Sequence, residues 1–256
     1  MMITAGVDLG AKTVKVVILR DDEVIGRGMT ITGLDQKESA EKAFASALKE
    51  AKLELKDIEK VAGTGCGRAE APYATSHITE VGADAKGAFF LNPAVRTVID
   101  VGGEEGRGIK CSAEGRAVDF AINEKCAAGA GAFVEAMARA LERSLEDFAK
   151  LALTSTKSIP MNAQCAVFAE SEVVSLIHAK TAHEDISRAV HDSISDRITS
   201  MVRRVGIEKE VMLIGGVAYN VGFVNSLNRS LNLEVVIPDH PEYVGALGAA
   251  LTAAGK

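Results

Sequence analysis

The chain has 256 residues, 47% of them apolar, which is enough to fill the core of one large or two smaller domains. Its formal net charge is −6, and 29 basic residues are scattered among 35 acidic ones, which argues against a nucleic-acid partner. No apolar run approaches the roughly 20 residues that cross a bilayer, and the N-terminus lacks the features of a signal peptide. We therefore expect a cytoplasmic protein that has no membrane partner.

The first sixty residues predict three strands, a helix and a fourth strand. Residues 3–9 and 13–19 are β-rich runs joined by a glycine-containing turn, with Asp8 at the end of the first run. A third strand is expected at 23–30 and a fourth at 58–64. The helix is predicted by apolar residues that recur at spacings of three and four, namely Ala40, Phe44, Ala47, Leu48 and Ala51.

The same strand-and-turn pattern recurs about ninety residues later. Residues 96–103 read as a strand that ends in Asp100 and runs into two glycines, Gly102 and Gly103. Further strands are expected at 108–111 and 117–122. The chain is therefore predicted to be internally duplicated.

The remainder predicts helices and two more strands. Three helices are expected at 131–141, directly after Cys165, and at 185–205, where Gly206 is the expected C-terminal cap. Two further strands are predicted at 211–214 and 233–238. The chain closes with a small-residue helix at 245–251 that could pack very closely on a neighbour.

Two acids occupy positions that suit a nucleotide site. An acid at the end of a strand can hold hydrated Mg²⁺, while the backbone N–H groups of the following glycine turn face phosphate oxygens. One such pattern also marks an ordinary β-turn. Two copies, at Asp8 and Asp100, together with the later pair Gly215 and Gly216 after a buried strand, favour a nucleotide site.

Three sequence blocks resemble the phosphate-1, phosphate-2 and adenosine motifs of the acetate kinase/sugar kinase/Hsp70/actin superfamily. They are Val7-Asp8-Leu9-Gly10, Ile99-Asp100-Val101-Gly102-Gly103 and Leu213-Ile214-Gly215-Gly216-Val217-Ala218. The resemblance implies an α/β fold of two ribonuclease-H-like lobes, an actin-like ATPase fold, with a nucleotide cleft between them. It places one lobe at 1–94 plus 240–256 and the other at 95–239.

The same resemblance implies roles for individual residues. Asp8 and Asp100 would organise Mg²⁺ through water together with the attacking water, and Lys12 or Lys15 would add charge near the phosphates. Where many relatives carry a glutamine this chain has Glu104-Glu105, so Glu104 is a third candidate catalytic residue. The residues expected to contact ATP or ADP are Gly10, Ala11, Lys12, Thr13, Gly102, Gly103, Gly129, Gly131, Gly215, Gly216 and Asn220.

Four cysteines are too few and too widely spaced for a disulfide framework. Cys66 and Cys111 are expected to be buried small hydrophobic residues. Cys126 and Cys165 each stand just before a predicted helix, where the helix N-terminus favours a thiolate. They make half of the four-thiolate set of a cubic iron–sulfur cluster, which suggests that a second subunit supplies the rest.

The segments 123–129 and 165–173 closely resemble the cluster-binding segments of the BadF/BadG/BcrA/BcrD-type ATPases. That family contains the activators of 2-hydroxyacyl-CoA dehydratases and the ATPase subunits of benzoyl-CoA reductase. The resemblance implies one 4Fe-4S cluster per dimer, held by Cys126 and Cys165 of each subunit. It further implies that ATP hydrolysis drives a low-potential electron, received from ferredoxin or flavodoxin, into an acyl-CoA reductase or dehydratase.

Several alternatives stay open at this point. The second subunit is either an identical chain or a homologous ATPase subunit. A small-molecule kinase of the same superfamily, similar to the short pantothenate kinases, accounts for the acids and glycines but leaves Cys126 and Cys165 unexplained. An ATP-dependent scaffold of the actin or Hsp70 type is the third reading, although the chain has no room for a substrate-binding domain.

Overall fold

A computed structural model describes residues 2–123, 131–161 and 166–256, without the side chains of residues 166 and 167. The strands are β1 (Ile3–Leu9), β2 (Thr13–Arg20), β3 (Glu23–Ile31), β4 (Lys60–Thr64), β5 (Ser76–His77), β6 (Thr97–Val101), β7 (Gly106–Cys111), β8 (Ala117–Asn123) and β9 (Val211–Ile214). The helices are α1 (Gln36–Ala51), α2 (Glu80–Leu91), α3 (Gly131–Ala140), α4 (Leu145–Ala152), α5 (Ala166–His178), α6 (His183–Val205), α7 (Val221–Leu231) and α8 (Val244–Ala253). Within these ranges, no helix combines the length and apolar character needed to span a membrane.

The chain divides into two compact units. The first comprises Met1–Val98, Cys111–Val118 and Pro238–Lys256, and the second comprises Ile99–Lys110 and Asp119–Ile237. The lobe boundaries given above, after residues 94 and 239, stay a prediction.

The first sheet has the strand order β3-β2-β1-β4-β5. Strand β1 lies antiparallel to β2 and parallel to β4, so that Asp8 is opposite Lys15 on one side and Thr64 on the other. Buried side chains of β1 and β2 pack against the apolar face of α1, which includes Phe44. This packing fixes the sheet edge from which the turn after β1 projects.

The second sheet has the order β8-β7-β6-β9, which repeats the relative order β3-β2-β1-β4 of the first. Its core combines β6 and β9 with the inner faces of α3, α6 and α7, where Phe133, Ile194 and Phe223 are buried. The predicted duplication and the mixed α/β fold class are therefore confirmed.

Helix α8 packs unusually closely on its neighbours in the first unit. A Cβ placed on Gly6 of β1 would lie 2.0 Å from the carbonyl oxygen of Ala246, and one on Gly248 would lie 1.9 Å from that of Ala83. Since no side chain fits at either place, glycine at positions 6 and 248 is required by this packing. The predicted close-packing helix is confirmed.

Some predicted elements need correction. The strand predicted at 233–238 is wrong, because this segment makes only one parallel bridge, between Val236 and Met212. The strand predicted from residue 58 begins at Lys60, after a 3-10 turn over Leu55–Asp57. Helices α2, α4 and α7 were not predicted, although Ser144 and Asn220 accept backbone N–H groups as the N-caps of α4 and α7.

Candidate functional site

The acid at the end of β1 is paired with a lysine on the adjacent strand. Lys15 Nζ lies 3.1 Å from Asp8 Oδ2, and the two side chains are only 17% and 15% exposed. Partial burial limits solvent screening, so this pair is stronger than a surface ion pair. Lys15 therefore neutralises Asp8 directly, in addition to any role near a phosphate.

The turn that follows Asp8 is held in place by its own backbone and by the end of β3. The amide of Gly10 donates to the carbonyl of Thr13 at 3.2 Å. Thr32 donates its amide to Lys12 O at 3.0 Å and its hydroxyl to Gly10 O at 2.8 Å. Ala11 and Lys12 are exposed, so this part of the turn is open to solvent.

Gly65 follows β4, the parallel neighbour of β1, and closes over Asp8. Its φ is +92°, and an added Cβ would lie 2.3 Å from Leu9 O and 2.7 Å from Asp8 Oδ1. Glycine is therefore required both by the left-handed backbone and by the close approach. Asp8, Lys15, Gly65 and the turn 10–13 are called the first half site.

The second unit repeats this arrangement with a shorter and more buried ion pair. Arg107 Nη1 lies 2.6 Å from Asp100 Oδ2, and Arg107 Nη2 lies 2.5 Å from Glu105 Oε2. Arg107 follows Asp100 by seven residues, as Lys15 follows Asp8. Arg107 was not among the residues predicted from the sequence, although its seven-residue spacing from Asp100, repeated by Lys15 and Asp8, could have indicated it.

The backbone of the second half site also matches the first. The amide of Gly102 donates to Glu105 O at 2.9 Å and so closes the turn, as Gly10 does with Thr13. Gly215 follows β9 with φ +87°, and an added Cβ would lie 2.5 Å from Asp100 Oδ1. Asp100, Glu105, Arg107, Gly215 and the turn 102–105 are called the second half site.

Helix α3 begins on the turn of the second half site. The amide of Gly131 donates to Gly102 O at 2.9 Å, and the amide of Ala132 donates to Gly103 O at 2.8 Å. These are N–H groups that the first turn of a helix leaves without intrahelical partners. The N-terminus of α3 is thus attached to the glycine pair after Asp100.

Three other predicted site residues, Glu104, Gly216 and Asn220, have different surroundings in the structure. Glu104 is exposed, whereas its neighbour Glu105 holds Arg107. Gly216 is exposed, and an added Cβ there would meet no atom of the described residues within 4 Å. Asn220 is buried and its Oδ1 accepts the amide of Phe223 at 2.9 Å as the N-cap of α7. Their roles in catalysis and nucleotide binding stay predictions.

The cysteines fall into two groups. Cys126, Cys165 and Gly129 lie outside the described residues. Cys111 is buried as expected, and burial raises its pKa to about 11. Cys66 is exposed, so its predicted burial is wrong: its Gly65–Gly67 turn places the thiol at the surface, with Sγ donating to Leu9 O at 3.5 Å. Among the described residues, no group of three or more His, Cys, Asp or Glu side chains could hold a metal ion.

The two sheets repeat one strand order, each with a strand-end acid, a facing cation and a glycine turn, as expected of the actin-like ATPase fold class. The chain belongs to the BadF/BadG/BcrA/BcrD ATPase family, whose profile matches residues 5–253. It is 37% identical over 252 residues to the activator of lactoyl-CoA dehydratase of Anaerotignum propionicum, covering 98% of this chain and 97% of the relative. It is 33% identical over 262 residues to one of the subunits of benzoyl-CoA reductase of Thauera aromatica, covering 98% and 93%.

Solved structures of a dehydratase component and of a dehydratase activator also match this chain. The crystal structure of component A of (R)-2-hydroxyglutaryl-CoA dehydratase from Acidaminococcus fermentans matches with TM-score 0.94 and 36% identity, covering 100% of this chain and 98% of that one. The activator of 2-hydroxyisocaproyl-CoA dehydratase from Clostridium difficile, solved with bound ADPNP, matches with TM-score 0.92 and 35% identity, covering 98% and 94%. A ROK-family glucokinase from Streptomyces griseus has TM-score 0.61 at 12% identity, covering 99% and 100%, which shows the fold alone.

Proposed function

We propose that this protein is an ATP-hydrolysing iron–sulfur activator that delivers a low-potential electron to an acyl-CoA dehydratase or reductase. The observation that carries the proposal is similarity over nearly the whole chain to named activators of this kind. The two half sites would supply the residues for ATP hydrolysis. The small-molecule kinase alternative has only a likeness of fold in its favour.

The nucleotide part of the proposal rests on Asp8 and Asp100. Carboxylate oxygens are the ligands that Mg²⁺ prefers, and both acids stand at strand ends beside glycine turns, so the residues fit a hydrated Mg²⁺. When bound, the ion would neutralise charge that develops on the phosphates. The exposed turn at Ala11 and Lys12 and the amide of Gly103 would hold phosphate oxygens through backbone N–H groups. Gly102, whose own amide donates to Glu105 O, would shape this turn.

The iron–sulfur part of the proposal rests on Cys126 and Cys165. A cluster ligand must be a thiolate, and the raised pKa of buried Cys111 makes that thiol a poor candidate. Cys66 lies in the turn that packs over Asp8, beside the first half site, and we do not assign it as a cluster ligand. Cys126 and Cys165 would hold a 4Fe-4S cluster, which supplies one-electron chemistry at low potential.

Communication between nucleotide and cluster would pass through α3. This helix follows the Cys126 segment, and its first two amides bind the carbonyls of Gly102 and Gly103. A phosphate that reorients the turn would move those carbonyls and therefore the start of α3. The nucleotide state would then bias the position of a segment that carries a cluster ligand.

The partners belong to the same proposal. The other two thiolates come from a second copy of this chain or from a homologous ATPase subunit in the cytoplasm. Ferredoxin or flavodoxin would donate the electron, and an acyl-CoA dehydratase or reductase component would accept it. The mass of the native complex separates the homodimer from the complex of unlike subunits.

Iron and sulfide analysis of anaerobically purified protein tests this function. We expect one 4Fe-4S cluster per two chains and loss of the cluster in Cys126→Ala and Cys165→Ala. Cys66→Ala and Cys111→Ala are the matched controls and should keep the full cluster signal. Retention of the cluster in Cys126→Ala or Cys165→Ala, or one cluster per chain, would contradict the proposal.

A further inference from the structure

The two half sites differ in the kind of cation that faces the acid. Lys15 Nζ lies 3.1 Å from Asp8. Arg107 reaches Asp100 at 2.6 Å and is itself held by Glu105 at 2.5 Å. The place of Glu105 is taken in the first half site by Thr13, which closes the equivalent turn but carries no charge. Asp100 therefore faces Arg107, and the carboxylate of Glu105, in the turn that follows Asp100, holds this arginine in place.

The ion pair between Arg107 and Asp100 is largely buried, so the choice of arginine over lysine affects how Asp100 is held. The side chains of Arg107 and Asp100 are 10% and 11% exposed, and that of Glu105 is 31% exposed. An arginine fork makes directional charge-assisted hydrogen bonds, whereas a lysine ammonium acts as a flexible point charge. Arg107 therefore fixes the orientation of the Asp100 carboxylate and not only its charge.

Glu105 connects this ion pair to the phosphate-facing turn. Its carbonyl accepts the amide of Gly102, while its carboxylate holds Arg107. The remaining oxygen of Asp100 faces the backbone of Gly215, where even a Cβ would come within 2.5 Å. Asp100 is thus confined on one side by Arg107 and on the other by Gly215.

We propose that Arg107, anchored by Glu105, is a positioning residue that sets the Asp100 carboxylate for Mg²⁺-dependent ATP hydrolysis, and that Lys15 acts on Asp8 through its charge. The proposal rests on the ATP-hydrolysing half of the proposed function and is independent of the cluster. It predicts that geometry is required at position 107, whereas charge suffices at position 15.

The test compares Arg107→Lys, Arg107→Gln and Glu105→Gln with Lys15→Arg and Lys110→Gln in the anaerobically purified full-length protein. Lys110 is the matched control, because it lies on the same strand β7 and pairs with Glu208 at 2.5 Å outside the half site. Two quantities are measured for each protein. They are kcat for ATP hydrolysis, and the affinity for ADP with and without Mg²⁺ by titration calorimetry.

We expect kcat to fall about 10- to 100-fold in both Arg107 variants, as for loss of a group that orients a metal ligand. In both Arg107 variants, the affinity for ADP should fall in the presence of Mg²⁺ and stay within about threefold of wild type without it. Glu105→Gln should change kcat and ADP affinity in the same direction by a smaller factor. Lys110→Gln should retain kcat within about threefold. Lys15→Arg should lose less kcat than either Arg107 variant, because it keeps the charge that faces Asp8.

Three results would overturn the inference. Unchanged kcat in Arg107→Lys would show that charge alone suffices. Tighter Mg²⁺-dependent binding in Arg107→Gln would make the arginine a competitor of the metal, and equal loss of ADP affinity with and without Mg²⁺ would make it structural. Failure of the wild-type protein to hydrolyse ATP would instead count against the proposed function, so the two failures are distinguishable.

Discussion

The amide of Gly131 donates a hydrogen bond to the carbonyl of Gly102 at 2.9 Å, so the first residue of α3 is attached to the turn after Asp100. An added Cβ on Gly131 would lie 2.9 Å from Val217 Cγ2, which leaves little room for this helix start to shift sideways. A change in the turn should therefore be transmitted along α3. If the proposed function holds, this contact would connect bound ATP to the segment that precedes α3 in the sequence and contains Cys126.

Removing one of the two amides that attach α3 to the turn should uncouple the nucleotide from the cluster. Ala132→Pro deletes the donor to Gly103 O, and proline is tolerated in the first turn of a helix because that N–H has no intrahelical partner. We expect ATP hydrolysis to stay within about tenfold of wild type. The difference that ATP and ADP make to iron release by a chelator should disappear.

Glu146→Pro is the matched control, because Glu146 is the second residue of α4 as Ala132 is of α3. Within the described part of the chain, the carbonyls of Gly102 and Gly103 take their helical amides from α3 and not from α4. If Glu146→Pro abolished the nucleotide effect as well, the loss would reflect general damage to the second unit and not the contact with Gly103.

Asp8→Asn should reduce ATP turnover by about 100-fold, because a neutral amide replaces the charge expected to bind hydrated Mg²⁺. Asp22→Asn, in the exposed turn after β2, removes the ion pair with Lys256 and should leave turnover unchanged. Turnover and thermal unfolding are measured on both variants. Full activity in Asp8→Asn would remove the first half site from the reaction.

Gly216→Ala separates a nucleotide contact from a folding effect. Nothing in the described chain lies within 4 Å of a Cβ at this position, so the midpoint of thermal unfolding should not change. If the nucleoside approaches the backbone there, the methyl group should weaken ATP binding by about tenfold, or about 1.4 kcal/mol. Wild-type affinity in Gly216→Ala would place the nucleoside elsewhere.

Because His191 is buried, the folded protein is expected to become less stable in acid. The histidine is fully buried on α6, its Nδ1–H donates to Ser187 O at 2.7 Å, and burial lowers its pKa to about 4. Above the ordinary histidine pKa of about 6.5, the ring is neutral in both the folded and the unfolded chain. Protonation of His191 therefore does not lower the free energy of unfolding in that pH range. As the pH falls towards 4 the unfolded chain takes up the proton first, and the free energy of unfolding should drop by about 2 kcal/mol at pH 5.

Urea unfolding at pH 7 and pH 5 measures this effect. His191→Gln should lose most of the difference between the two pH values, whereas His183→Gln, at an exposed position on the same helix, should retain it. An identical pH dependence in wild type and His191→Gln would assign the acid sensitivity to other groups.

The sequence predicted the strand-end acids because an acid followed by glycine after a β-rich run is a local pattern. Arg107 was not predicted, because its pairing with Asp100 becomes apparent only when the two hairpins are aligned on their acids, which places Arg107 opposite Lys15 in the alignment. Gly65 was not predicted for a similar reason, because its left-handed backbone is required only by the close approach of Leu9 O on the neighbouring strand. Gly215 was predicted as a nucleotide residue, but its close approach to Val101 O was not. Long-range contacts of this kind leave no periodicity in the sequence.

The errors in secondary structure have physical causes as well. Helix α2 is rich in alanine and glycine and buries Ala83, Gly87 and Ala88 against close neighbours, so its apolar residues do not mark a single stripe. The segment 233–238 is apolar, but Val236 alone pairs with β9, a strand of only four residues. Pro238 has no amide to continue such a ladder.

The most direct test of the account is the rate at which a chelator removes iron from the reduced, anaerobically purified protein in the presence of MgATP and of MgADP. The two rates are expected to differ by about tenfold or more, because the nucleotide state would move the start of α3 and with it the Cys126 segment. Equal rates in a protein that carries the cluster and hydrolyses ATP would contradict the claim that hydrolysis acts on the cluster.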